Sequence, residues 1–132
     1  MSRFDACNLN KCFSKTPYIT KHELSDFADM KFSSIDKENG NEVFYLNKRS
    51  SSWLLDNLKH GDLTEKQAYK VKRLSRVYQH IGNKKAWTGK TVKINIDTME
   101  LEDGLIRMYA IAMLSSDNNV SVPIDFIGGA YE

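Results

Sequence analysis

A chain of 132 residues, 41% hydrophobic and 27% charged, is long enough for one domain with a modest core and has an ordinary globular composition. No run approaches the length of a membrane span and no apolar leader stands at the start, which sets the expected location as the cytoplasm. The two cysteines, Cys7 and Cys12, are too few for a disulfide scaffold, and their C-x4-C spacing lacks the second Cys or His pair of a zinc site. The net charge of +2 hides a strong polarity. Residues 1–64 hold nine bases and nine acids, residues 65–96 nine bases and one acid (net +8), and residues 97–132 seven acids against Arg107 alone (net −6).

Taken in chain order, Thr20 to Met30 predicts a short helix, with Thr20 and Glu23 as a capping box and Leu24, Phe27 and Ala28 on one face. Ser33 to Asn41 (SSIDKENGN) has the composition of a loop. Glu42 to Leu46 (EVFYL) predicts a strand. The serines Ser50-Ser51-Ser52 then suit the cap of a helix that carries Trp53, Leu54, Leu55 and Leu58 and stops at His60-Gly61.

The strongest helix signal runs from Leu63 to Ile81. Thr64 and Gln67 form a second capping box, and Gly82 supplies the stop. Val71, Leu74, Tyr78 and Ile81 make an apolar stripe, while Lys66, Lys70 and Arg73 line up on another side and Lys72 and Arg76 add a second basic row. Thr91 to Asp97 (TVKINID) alternates as a strand with Val92, Ile94 and Ile96 on one side. After a turn, Asp103 is placed to cap an apolar helix from about Leu105 to Leu114. Ser115 to Asn119 is a turn, and Val120 to Ile127 a last strand, which Pro123 consigns to an edge or an irregularity. This order of elements predicts an α+β fold with a small mixed β-sheet flanked by helices.

Two features point to chemistry. The basic block draws phosphates or an acidic partner, unless its lysines serve only to offset the acidic C-terminal third. In the string Asp103-Gly104-Leu105-Ile106-Arg107, a glycine without Cβ opens a helix whose N-terminus favours anions, and Arg107 can add a guanidinium to the same anion. An equal alternative is a plain helix cap with Arg107 paired to Asp103 or Glu102.

The order of segments resembles the ParB/sulfiredoxin-like domain, in particular its stand-alone phage versions. The likeness is carried by Trp53-Leu54, the basic helix from Thr64, Lys85-Ala86-Trp87-Thr88-Gly89, the strand Val92 to Asp97, Leu101-Glu102-Asp103-Gly104-Leu105-Ile106-Arg107-Met108-Tyr109-Ala110, and Val120-Ser121-Val122. It covers residues 42–129 and leaves residues 1–41 as an N-terminal accessory segment with a short helix. The resemblance implies phosphate or nucleotide contacts at Asp103, Gly104 and Arg107, and a nucleotide as the one cofactor. It departs at Leu105-Ile106, where a polar pair is usual. Two apolar side chains neither transfer protons nor bind metal, so the site is expected to be degenerate, and the reading leans away from an enzyme without deciding it.

His22, His60 and His80 are dispersed, and neither a nucleophile elbow nor a phosphate-binding P-loop string occurs. Asp97, Glu100, Glu102 and Asp103 could gather around Mg²⁺ in a folded loop. The leading expectation is a phage or mobile-element protein that binds nucleic acid through Lys66, Lys70, Arg73 and Arg76, with Lys84, Lys85 and Lys90 extending the track and Trp87 either stacking on a base or anchoring the loop. The alternatives are an inhibitor that presents the basic face to an acidic host protein, and a nucleotide-dependent or DNA-cleaving enzyme.

Overall fold

The computed structural model describes residues 19–37, 40–81, 91–115 and 118–128. Its elements are α1 (Lys21–Ala28), β1 (Lys31–Ile35), β2 (Glu42–Leu46), α2 (Lys48–Asn57), α3 (Glu65–Ile81), β3 (Val92–Asn95), β4 (Glu100–Asp103), α4 (Leu105–Ala112) and β5 (Val120–Ile127). The five strands form one sheet in the order β1-β2-β5-β3-β4. All neighbours are antiparallel except β3 and β5, which run parallel. The fold is therefore α+β with a mixed sheet, as the order of signals predicts.

Alternation decides which side of the sheet is core. The register Phe44↔Val122 and Leu46↔Val120 on one side of β5, and Val92↔Ile124 on the other, puts these residues on a single face. All are buried, and with Leu24, Leu54, Val71, Tyr78, Met108 and Ile111 they belong to one hydrophobic core. Burial of this kind stabilises by roughly 1.5–3 kcal/mol per large side chain. α1 and β1, from the accessory segment, belong to the same sheet and core: Leu24 and Ala28 are buried, and β1 pairs with β2.

Both predicted capping boxes form. The Thr20 hydroxyl accepts from the Glu23 N–H (3.1 Å) while the Glu23 carboxylate accepts from the Thr20 N–H (2.9 Å). Thr64 and Gln67 repeat the exchange at the same distances. Each box satisfies two donors that a helix start otherwise leaves unpaired. Phe27, expected on the buried face of α1, is instead 57% exposed and stacks on Trp53 at 6.2 Å between centroids.

Other expectations are corrected. The interval from Ser33 is not wholly loop: Lys31–Ile35 is a strand with a bulge near Ser33, almost all of it exposed. A short edge strand of this kind lacks the alternation by which strands are recognised. The serine cluster does not cap α2. Asn47 does, its Oδ1 accepting from the Ser50 N–H at 3.0 Å, while Ser50 and Ser51 sit fully buried inside the helix. The Ser50 hydroxyl donates to the Asp29 carbonyl (3.1 Å) and so ties α2 to the end of α1. α2 also stops short of His60, because Lys59 leaves it to bridge β4: its N–H donates to the Met99 carbonyl (2.8 Å) and its carbonyl accepts from Leu101 (2.9 Å).

Pro123 overrides its own signal. It lies buried in β5, the middle strand, opposite Val43. The parallel register with β3 begins only at the next residue, Ile124, so the missing N–H falls before that ladder starts.

Asp29 closes α1 in the left-handed conformation (φ 61) and places a carboxylate at the negative end of the helix dipole. Its ion pair with Lys31 (3.5 Å) is exposed and contributes little. Asp29→Gly should therefore raise unfolding free energy by about 0.5–1 kcal/mol in urea titration, with the m-value unchanged.

Candidate nucleic-acid interface and turn cavity

The D-G-x-x-R string falls where β4 becomes α4. Asp103 ends the strand and Gly104 occupies the N-cap at φ 101, so the glycine and not the aspartate begins the helix. The Asp103 carboxylate accepts from the Gly104 N–H (2.9 Å), and no side chain caps α4. A Cβ at Gly104 would fall 2.7 Å from Val92 Cγ2. The glycine is thus required by the close packing of the turn on β3, whatever else approaches it.

Arg107, in the first turn of α4, is turned inward and only 8% exposed. Its Nε donates to the Tyr78 hydroxyl of α3 at 3.2 Å. Burial raises the Tyr78 pKa above the ordinary phenol value, and the neighbouring Arg107 charge and hydrogen bond pull the other way. The phenol stays neutral at physiological pH and serves the guanidinium as an acceptor.

Around the turn lies a cavity of about 480 Å³, lined among others by His60, Gln67, Leu74, Asp103, Gly104 and Arg107. Leu105 and Ile106 also line it, and both pack against the core. The His60 ring lies in hydrogen-bond contact with two carbonyls, Gly61 at Nδ1 and Leu55 at Nε2, both 2.9 Å away. Both ring nitrogens thus face backbone carbonyls, and a neutral imidazole donates to one of the two.

Asp97, Glu100, Glu102 and Asp103, which could gather around Mg²⁺, form no such group: among the described residues no three or more His, Cys, Asp or Glu come together to hold a metal ion. Glu102 accepts from the Asn95 amide (2.9 Å) and Glu100 from the Thr98 hydroxyl (2.9 Å), which commits both to the β3–β4 turn.

On α3 the apolar and basic faces separate as predicted. Val71 and Tyr78 are buried and Leu74 half-buried, while Lys66, Lys70, Lys72, Arg73 and Arg76 are all exposed. The ion pairs seen among the described residues, Lys21–Glu42 and Lys31–Asp29, involve none of these five. Lys70 and Arg73 border a second groove of about 400 Å³, completed by Leu74, Val77 and Ile106. Leu74 and Ile106 line both concavities, so the groove on the basic face of α3 adjoins the turn cavity. Lys84, Lys85, Trp87 and Lys90 lie outside the described residues, as do Cys7 and Cys12.

Sequence patterns place Tyr78 on a core stripe and carry no sign of its bond to Arg107, 29 residues away. Tyr69, 64% exposed, belongs to no predicted stripe, yet it stands beside the basic residues with the Arg73 guanidinium 5.9 Å from its ring centroid.

Gly104→Ala should lower stability by about 2–3 kcal/mol, combining a strained positive φ with overpacking against Val92, and chemical denaturation would measure it. Tyr78→Phe removes an acceptor from a buried guanidinium and should cost about 1.5–3 kcal/mol. A folded-state pKa above the unfolded one makes the Tyr78 contribution complete below about pH 10 and lost as pH rises through the folded value. Stability of the unsubstituted protein should accordingly fall above about pH 10, and Tyr78→Phe should flatten that part of the profile.

Comparison with family models, with curated proteins and with solved structures gave no match.

Proposed function

We propose that this chain binds nucleic acid through the exposed basic face of α3, on a ParB/sulfiredoxin-like scaffold whose turn has lost its polar chemistry. One observation carries the proposal: Lys66, Lys70 and Arg73 stand exposed on one side of a helix, no carboxylate among the described residues pairs with them, and the groove beside Lys70 and Arg73 shares Leu74 and Ile106 with the cavity at Gly104. Cations arranged this way gain most from a polyanion, whose condensed counterions they displace. Lys72 and Arg76 flank the same face.

Electrostatics ranks the two parts. The uncapped start of α4 and Arg107 favour an anion at the turn. Glu102 and Asp103 also line that cavity and repel one. The Lys66–Arg73 face has no such opposition within it. The principal affinity is therefore assigned to α3, and Asp103, Gly104 and Arg107 mark a lesser contact for one phosphate or a nucleotide. Leu105 and Ile106 give that cavity apolar walls where the motif likeness anticipates a polar pair, which supports binding over catalysis in this reading. A phage or mobile-element origin follows only from the motif likeness.

Fluorescence anisotropy with short DNA should show binding at low salt that weakens about 40-fold between about 50 and about 200 mM salt, as expected for roughly three phosphate contacts. Lys70→Glu combined with Arg73→Glu should abolish it while leaving the protein folded by circular dichroism, since both side chains are exposed. Absence of binding at low salt would overturn the proposal and leave an acidic protein as the partner suited to this face.

A further inference from the structure

α3 bears more than charge on its exposed side. At 3.6 residues per turn, Lys66, Tyr69, Lys70, Arg73 and Val77 fall within roughly a third of the helix circumference. Tyr69 is 64% and Val77 43% exposed. Tyr69 carries the Arg73 guanidinium over its ring at 5.9 Å. Beside them, the groove of about 400 Å³ has an apolar floor of Leu74, Val77 and Ile106 with Lys70 and Arg73 at its edge.

A single exposed aromatic on a helix needs no explanation. An exposed aromatic, an apolar groove and two cations in contiguous positions make a different surface, because each complements a different part of one ligand. Phosphates suit Lys70 and Arg73. The ring of Tyr69 and the apolar floor suit a flat, weakly polar group next to those phosphates. A duplex offers the phosphates but keeps its base faces within the stack. A single strand offers both at nucleotide spacing, and stacking of an unpaired base on an aromatic ring is strong and tolerant of sequence. The guanidinium over Tyr69 holds the ring in place and keeps a cation beside the stacked base.

Resting on the nucleic-acid function proposed above, we infer that the ligand is single-stranded: Tyr69 stacks on an unpaired base, Lys70 and Arg73 hold its flanking phosphates, and the Leu74–Val77–Ile106 floor receives the adjacent base or sugar.

The test compares a labelled single-stranded oligonucleotide with a duplex of equal length, using the full chain and its Tyr69→Ala, Tyr69→Phe and Lys70→Glu/Arg73→Glu variants. Circular dichroism verifies that each is folded. The unsubstituted chain should prefer the single strand. Tyr69→Ala should weaken single-strand binding about 10-fold or more and leave duplex binding and the salt dependence unchanged. Tyr69→Phe should retain the single-strand affinity. If Lys70→Glu/Arg73→Glu abolishes binding but Tyr69→Ala alters neither ligand, or both equally, the single-strand inference fails and charge alone remains. If the double charge reversal changes nothing, the nucleic-acid function itself fails. Equal binding of a poly-glutamate peptide, lost in the same variants, would overturn the inference in favour of an acidic protein segment.

Discussion

Where β4 ends, the chain must leave the sheet and start α4 within one residue, and it does so with its backbone pressed against β3. Any side chain at Gly104 would collide with Val92, the first residue of β3. Val92 in turn pairs with Ile124 in the middle strand, so the turn is seated next to the centre of the sheet. This seating aims α4 over the core, burying Met108, Ala110 and Ile111, and delivers Arg107 to Tyr78. The Arg107–Tyr78 bond then joins the first turn of α4 to the last turn of α3, so the turn and the basic helix are tied together.

The two sides of α3 differ in what they contribute. Its inner side supplies Val71 and Tyr78 to the core, worth several kcal/mol together. Its outer side places like charges at helical neighbour spacings: Lys66 with Lys70, Lys70 with Arg73, Lys72 with Arg76, and Arg73 with Arg76. Each such pair disfavours the helix by roughly 0.2–0.5 kcal/mol, or on the order of 1–2 kcal/mol for the four. A helix under no demand but folding would intersperse glutamates there. The inner side is strong enough to carry the outer one, and a row of phosphates would turn that repulsion into attraction. Local conflict of this sort is expected where a surface is shaped for a ligand.

What the sequence reveals, and what it conceals, follows from where each signal originates. The capping boxes at Thr20 and Thr64, and the strands Glu42–Leu46 and Val120–Ile127, rest on local chemistry and β-forming composition, and they are found where those signals place them. β1 and β4 are short and largely exposed, so no periodicity marks them. Asn47 outcompetes three serines as a cap because the core takes Ser50 and Ser51, a choice made by tertiary packing. Pro123 is admitted to the middle strand only because the β3 register starts one residue later. At the turn, the string itself is legible in sequence. The inward path of Arg107 is not, because its partner lies on another helix whose pattern reads simply as core.

Ile106 connects the two halves of the functional argument. At this position the motif likeness anticipates a polar residue, and an apolar one removes a proton carrier from the turn. The same side chain lines both the turn cavity and the groove beside Lys70 and Arg73. A polar residue there would break the apolar lining that Leu74, Val77 and Ile106 give the groove. In the function proposed, the apolar turn and the cations of α3 serve one region, because Leu74 and Ile106 line both the turn cavity and the groove that Lys70 and Arg73 border.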